Sequence, residues 1–223
     1  ASDVYKRQSW SSDRYRHYVE NIVSRLAIHY GNNPTVIGWQ IDNEPGHYGV
    51  VDYSENAQAK FRIWLQKKYG TIDKLNDTWG ASFWSETYQN FEQVRLPNQQ
   101  EVPDKANPHA MLDLNRFMAD ELAGFVNMQA DILRRHIHKD QWITTNLIPI
   151  FNPVDPVRID HTDFLTYTRY LVTGHNQGIG SQGFRMGIPE DLGFSNDQFR
   201  NRVGKAFGVM ELQPGQVNWG VYN

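Results

Sequence analysis

The chain has 223 residues, no cysteine, seven tryptophans, and 22 Lys+Arg against 25 Asp+Glu, for a formal charge of −3. That balance lacks the basic footprint of a nucleic-acid binder. The absence of cysteine excludes disulfides, thiolate metal sites and cysteine nucleophiles, and no run approaches the ~18 apolar residues that span a bilayer.

The length suits one large domain or a piece of one. Ala1–Gln8 carry neither an apolar signal segment nor a cleavage signature, and the chain stops a few residues past an apolar stretch. It therefore reads as an internal piece of a longer protein, with residues 1–8 set apart as non-native or unstructured. Cellular location is not legible from it.

Asp13 to Tyr30 predicts an amphipathic helix, with Tyr18, Val19, Ile22, Val23, Leu26 and Tyr30 at helical spacing and Gly31 and Pro34 as stop signals. Val36–Ile41 follows turn residues and predicts a buried strand that ends in Asp42-Asn43-Glu44. A helix is expected from about Ser54 to Tyr69, capped by Gly70. From Gly80 to about Pro108 the chain is aromatic, Gln/Asn/Pro-rich and irregular, and loops of that length are usually functional. Met111–His136 predicts a long helix, Trp142–Leu147 and Asp163–Thr168 two strands, Asn196–Arg202 a short helix, and Ala206–Leu212 a fourth strand carrying Glu211.

Helices or long loops separate the four strands, never hairpins, which argues for an α/β fold with a parallel sheet. No glycine-rich dinucleotide fingerprint or phosphate loop follows any strand, so nucleotide-binding doubly wound folds lose support. A (β/α)8 barrel accounts for the pattern, and its site lies at the C-terminal strand ends. Only four of eight strands are visible, so the expectation is part of such a barrel.

Glu44 and Glu211 each close a buried strand, so in a parallel barrel both side chains reach the same mouth. A carboxyl pair serves glycoside hydrolysis: one acid protonates the leaving oxygen while the other attacks or activates water. His47 reads as a solvated loop residue, and His136 and His138 as charge favourable to a helix C-terminus. No His-Glu-x-x-His pattern supports a zinc hydrolase.

These residues carry a resemblance. Gly38-Trp39-Gln40-Ile41-Asp42-Asn43-Glu44 is similar to the acid/base segment of glycoside hydrolase family 42, the β-galactosidases. Thr78 to Ser85 through Tyr88 and Pro97 resembles the loop that follows. Asp163-Phe164-Leu165 through Tyr170 resembles the sixth-strand segment, and Val209-Met210-Glu211-Leu212-Gln213-Pro214 with Asn218-Trp219 the nucleophile segment. The four segments occur in the family's order.

The resemblance implies a retaining clan-A barrel with the acid/base after strand four and the nucleophile after strand seven. The chain would then be an incomplete catalytic domain, residues 1–223, covering about strands four to seven. Glu44 would be the general acid/base and Glu211 the nucleophile. Asn43 would bind the sugar 2-hydroxyl, Trp84 and Trp219 would pack on the sugar's apolar face, and Tyr170 would stand near the nucleophile.

The substrate would be a β-galactoside oligosaccharide or glycoside, with no cofactor, and family members are often homotrimers. Departures are Pro45 where an aromatic is common, and no cysteine cluster for the family's structural zinc in the stretch after Glu44, so no metal is expected. Tyr167, Thr168 and Arg169 stand where Trp, Asp and Asn are frequent, so strict galactose preference is not carried over. Asn-Glu-Pro also occurs in cellulase- and mannanase-like barrels, which is one alternative. A sugar-binding barrel without turnover is another, disfavoured because such a protein needs neither glutamate. An isolated piece with open sheet edges is expected to be poorly soluble.

Overall fold

Ser12 opens the first helix, α1 (Asp13–Tyr30), by accepting the Tyr15 N–H at 3.3 Å, which satisfies one of the otherwise orphaned amides of the first turn. The computed structural model describes residues 9–46, 51–83, 85–97, 107–148, 154–169, 189–204 and 206–212. After α1 come β1 (Gly38–Gln40), α2 (Glu55–Tyr69), α3 (Ile72–Trp79) and α4 (Pro108–Arg134). Then follow β2 (Trp142–Thr144), β3 (Asn146–Leu147), β4 (Leu165–Arg169), α5 (Pro189–Val203) and β5 (Phe207–Leu212).

Every described strand pair is parallel: β1 with β2, β3 with β4, and β4 with β5. Neighbours follow chain order without the reversal that marks a doubly wound sheet. The single strand expected over Trp142–Leu147 is interrupted at Thr145, so β2 serves β1 while β3 serves β4. Thr145 is not idle, because its carbonyl accepts both the N–H and the hydroxyl of Thr166, at 3.1 and 2.9 Å. Only glycine fits opposite Trp142, since a Cβ on Gly38 would lie 2.0 Å from the indole ring.

α4 is the spine. At 27 residues it spans about 40 Å, enough to feed three successive apolar clusters. Leu114, Phe117 and Met118 pack with Phe61, Leu65, Leu75 and Trp79 of α2 and α3. Leu122, Phe125 and Val126 meet Leu147, Leu165, Tyr167 and Phe199 behind the sheet. Ala130 and Leu133 close on Ala27, Ile41 and Ile143.

Three expectations change. α3 was not anticipated. Thr71 caps it by accepting the Lys74 N–H, Gly80 ends it at φ 59°, and its eight residues are too few for a visible period. α5 begins at Pro189, upstream of the short helix expected from Asn196. On α1 the apolar face is only half covered: Tyr15, Val19, Val23 and Ala27 form one i,i+4 stripe that joins the core clusters, whereas Tyr18, Ile22, Leu26 and Tyr30 form the adjacent stripe and are exposed.

A buried acid sits between the helices. Asp113 accepts from Tyr69 Oη at 2.5 Å, Trp79 Nε1 at 3.1 Å and Arg116 at 3.3 Å, and pairs with Lys68. Burial alone would raise its pKa, but the bonds from Lys68, Tyr69 and Trp79 outweigh it and hold the carboxyl below its ordinary value. The same contact, added to burial, pushes Tyr69 up to about 12. A lowered carboxylate contributes stability above the ordinary range, and this is lost as pH falls through the folded-state titration.

Asp113→Asn in the intact protein should therefore cost on the order of 2–3 kcal/mol near neutrality, somewhat under the value for a fully buried pair because Lys68 is 31% exposed. The deficit should shrink in acid, as read by denaturant unfolding at several pH values; a pH-independent deficit would contradict the electrostatic origin.

Candidate active site

β1 ends at Gln40, and the chain then makes two unusual turns, with Asp42 at φ 55° and Glu44 at φ 49°. Left-handed backbone is tolerable for Asp but strained for Glu, at about 1–3 kcal/mol per residue. Local bonds hold this segment in place. Asp42 Oδ1 accepts the Asn43 N–H at 2.9 Å, and the Glu44 N–H donates to the Asn146 carbonyl of β3 at 2.9 Å. Asn43 Oδ1 accepts from Gln40 Nε2 at 3.1 Å and from Asn146 Nδ2 at 3.3 Å, which leaves its amide nitrogen as the donor end.

From the far side of the sheet Glu211 reaches the same group: its Oε1 accepts from Asn146 Nδ2 at 2.8 Å. The strand's own alternation would not put it there. Phe207 and Val209 pack with Tyr167 behind the sheet, so regular period-2 geometry would send Glu211 after them. A register shift between Tyr167 and Thr168 places Val209 opposite Tyr167 but Glu211 opposite Thr168, which makes Met210 the extra residue of a bulge. Glu211 thereby joins Gly208 and Thr166 on the front face, where a Cβ on Gly208 would meet the Thr166 methyl at 3.0 Å. Bulges commonly re-aim side chains at functional sites.

Burial raises the Glu44 pKa above its ordinary value, and the negative charge of Glu211 adds to the rise. The nearby Thr168 hydroxyl acts in the opposite direction. Burial is the largest of the three effects, so the net shift is upward. Asp42 is also raised, first by burial, against the opposing Asn43 N–H and Gln129 side chain.

The structure thus brings together Glu44, Asn43 and Glu211, three of the residues anticipated from sequence. Trp84, Tyr170 and Trp219, and also His47, lie outside the described residues. Asn146 and Gln40 were not anticipated as site residues, and Thr168 was singled out only as a departure from the family pattern. Asn146 carried a usable signal, because it is a polar side chain near the end of an apolar strand, the feature that singled out Glu44 and Glu211. Among the described residues no group of three His, Cys, Asp or Glu side chains could hold a metal ion.

Comparison with known proteins identifies the family. The family model described as Beta-galactosidase, glycoside hydrolase family 42, matches residues 3–223. The chain belongs to this family. It is 36% identical over 222 residues to β-galactosidase BgaA of a Thermus species, covering 96% of this chain and 34% of that protein. It is 34% identical over 216 residues to β-galactosidase Bga of Halorubrum lacusprofundi, covering 94% and 30%.

Among solved structures, the β-galactosidase of the psychrophilic Marinomonas ef1 superposes with a TM-score of 0.83 at 33% identity, over 96% of this chain and 33% of that one. The Halorubrum lacusprofundi enzyme gives 0.83 at 32% identity, over 94% and 32%. The family 42 chain described here spans about a third of the length of the curated relatives it matches.

A raised acid binds its proton more tightly in the folded than in the unfolded state. Stability linked to Glu44 is therefore full below the ordinary carboxylate range and falls as pH rises toward the folded-state value. Glu44→Gln should leave stability nearly unchanged at about pH 4 and raise it near neutrality. Denaturant unfolding at the two pH values measures this, and a variant less stable than the parent at neutral pH would refute it.

Proposed function

We propose that the chain is the portion of a retaining β-galactosidase's (β/α)8 barrel that carries about strands four to seven, residues 1–223 forming an incomplete catalytic domain. Sequential parallel strands with polar residues at their C-terminal ends support this. So does the uncovered Tyr18–Ile22–Leu26–Tyr30 stripe, which a neighbouring βα unit of a closed barrel would bury. The observation that carries the functional reading is the convergence of Asn43 and Glu211 on one amide, beside a Glu44 whose proton is held by burial and by the charge of Glu211.

Hydrolysis then proceeds by double displacement. Glu211 attacks the anomeric carbon as Glu44 protonates the departing glycosidic oxygen, which forms a glycosyl ester and releases the aglycone. Water, deprotonated by Glu44, attacks the same carbon and returns the electron pair to Glu211 with net retention. The raised Glu44 suits the acid role, since it must be protonated while Glu211 is ionised. Asn43 offers its amide nitrogen to the 2-hydroxyl, a contact that strengthens in the oxocarbenium-like transition state. The family resemblance assigns apolar ring faces against the sugar to Trp84 and Trp219, and a place by the nucleophile to Tyr170. Neither step needs a cofactor.

The intact protein should hydrolyse an aryl β-D-galactoside with the β-anomer as first product, followed by proton NMR. Glu211→Gln should lower kcat on the order of 10⁴-fold or further. Inversion of configuration, or turnover that survives the substitution, would reject the assignment.

A further inference from the structure

Asn146 is fully buried, so it does not itself touch a sugar, yet it binds all three of the residues above. Its carbonyl accepts the Glu44 N–H at 2.9 Å, and its side-chain nitrogen donates to Glu211 Oε1 at 2.8 Å and to Asn43 Oδ1 at 3.3 Å. The amide orientation is dictated, because both neighbours on that side are acceptors and only the NH₂ end can face them. The consequence is a buried Oδ1 with no hydrogen-bond partner among the described residues. An unpaired buried acceptor costs about 1–3 kcal/mol, and a sequence under selection for stability alone has no reason to keep it.

We propose that Asn146 is the positioning residue of the nucleophile: its N–H fixes the rotation of the Glu211 carboxylate and receives the charge that returns to it in the second step. This rests on the double-displacement reading. In the first step an oxygen of Glu211 forms the bond to the anomeric carbon as the glycosidic bond breaks toward the Glu44 proton, and attack is assigned to Oε2, the oxygen that does not face the Asn146 amide. Oε1 then becomes the ester carbonyl, still bonded to Asn146. In the second step water forms the new bond, its proton passes to Glu44, the C–Oε2 bond breaks, and the electron pair spreads back over the carboxylate. A neutral acceptor becomes an anionic one at that moment, and hydrogen bonds to anions are about twice as strong. The donor therefore favours ester breakdown and, by the same argument, opposes ester formation. The Asn43 bond links this carboxylate to the side chain aimed at the 2-hydroxyl, so one amide sets both.

The test uses the intact protein with 2,4-dinitrophenyl β-D-galactoside, whose leaving group makes ester breakdown limiting, and 2-deoxy-2-fluoro-β-D-galactosyl fluoride as a trap. In the parent, trapping on the peptide that contains Glu211 supports the underlying reading; turnover with no label there overturns both that reading and this one. With the parent labelled, Asn146→Ala should lower kcat about 10²-fold, lower KM with it, and show a pre-steady-state burst as the ester accumulates.

Asn146→Asp keeps the volume and should do the same while moving the acid limb of the kcat/KM profile to higher pH, because the ionised nucleophile loses a donor and gains a like charge. Unchanged kcat, or a fall in kcat/KM without a burst, in variants that unfold cooperatively like the parent would overturn the inference alone. Loss of cooperative unfolding in both variants would assign Asn146 to the fold and overturn it as well.

Discussion

Because β1, β2 with β3, β4 and β5 all run in one direction, Asn43, Asn146, Thr168 and Glu211 leave the sheet at the same end, although 168 positions separate the first from the last. Antiparallel pairing would have sent alternate strands' terminal residues to opposite ends. A shared end is not sufficient by itself, because each side chain must also face forward. β1 meets that need with left-handed backbone at Asp42 and Glu44, and β5 with the extra residue Met210. Both are departures from ideal strand geometry at the residues that matter, the pattern expected where local rules yield to a site.

Such strain persists only in surroundings rigid enough to hold it. α4 supplies that rigidity along its length. Its last two turns pack on Ile41 and Ile143, immediately behind the residues that turn toward Glu44. Its middle packs behind β3, β4 and β5 through Leu147, Leu165 and Tyr167. Asp163 ties the same helix to the sheet, since it pairs with Arg134 and accepts the Ile143 N–H at 2.6 Å. The front-face polar residues are therefore anchored through one helix, which is why short strands of two to six residues suffice.

Much of this was legible in the sequence. Short apolar runs marked every strand position, the first of them after turn residues, and core spacing from Met111 marked α4, although its start at Pro108, capped by Asn107, fell in the stretch read as a loop. Glu44 and Glu211 stood out as acids closing apolar strands. What escaped was set by tertiary contacts. Trp142–Leu147 is an unbroken apolar-polar run, and only pairing with two different neighbours splits it at Thr145. Alternation read along Phe207, Val209 and Glu211 puts the glutamate behind the sheet, and nothing in those letters announces a bulge. α1 shows an apolar face twice as wide as α4 covers, so periodicity identified the helix but overstated what is buried here. α3, with two turns, offered only its caps.

Two acids in this chain, Asp113 and Glu44, show how to tell support from chemistry. Asp113 lies deep among the helices and is matched by a lysine, a phenol and an indole N–H, which together overcome burial and lower its pKa. Such an acid is content to remain ionised, and its bonds serve to lock α2, α3 and α4 together. Glu44 feels burial, a hydroxyl and another carboxylate, and its pKa rises. Asp113 has no reason to keep its proton; on Glu44 the proton is favoured first by burial, with a smaller contribution from the negative charge of Glu211. In the proposed mechanism esterification of Glu211 would remove that smaller contribution and leave burial in place, so the hold on the Glu44 proton would weaken in part at the step that asks Glu44 to act as a base.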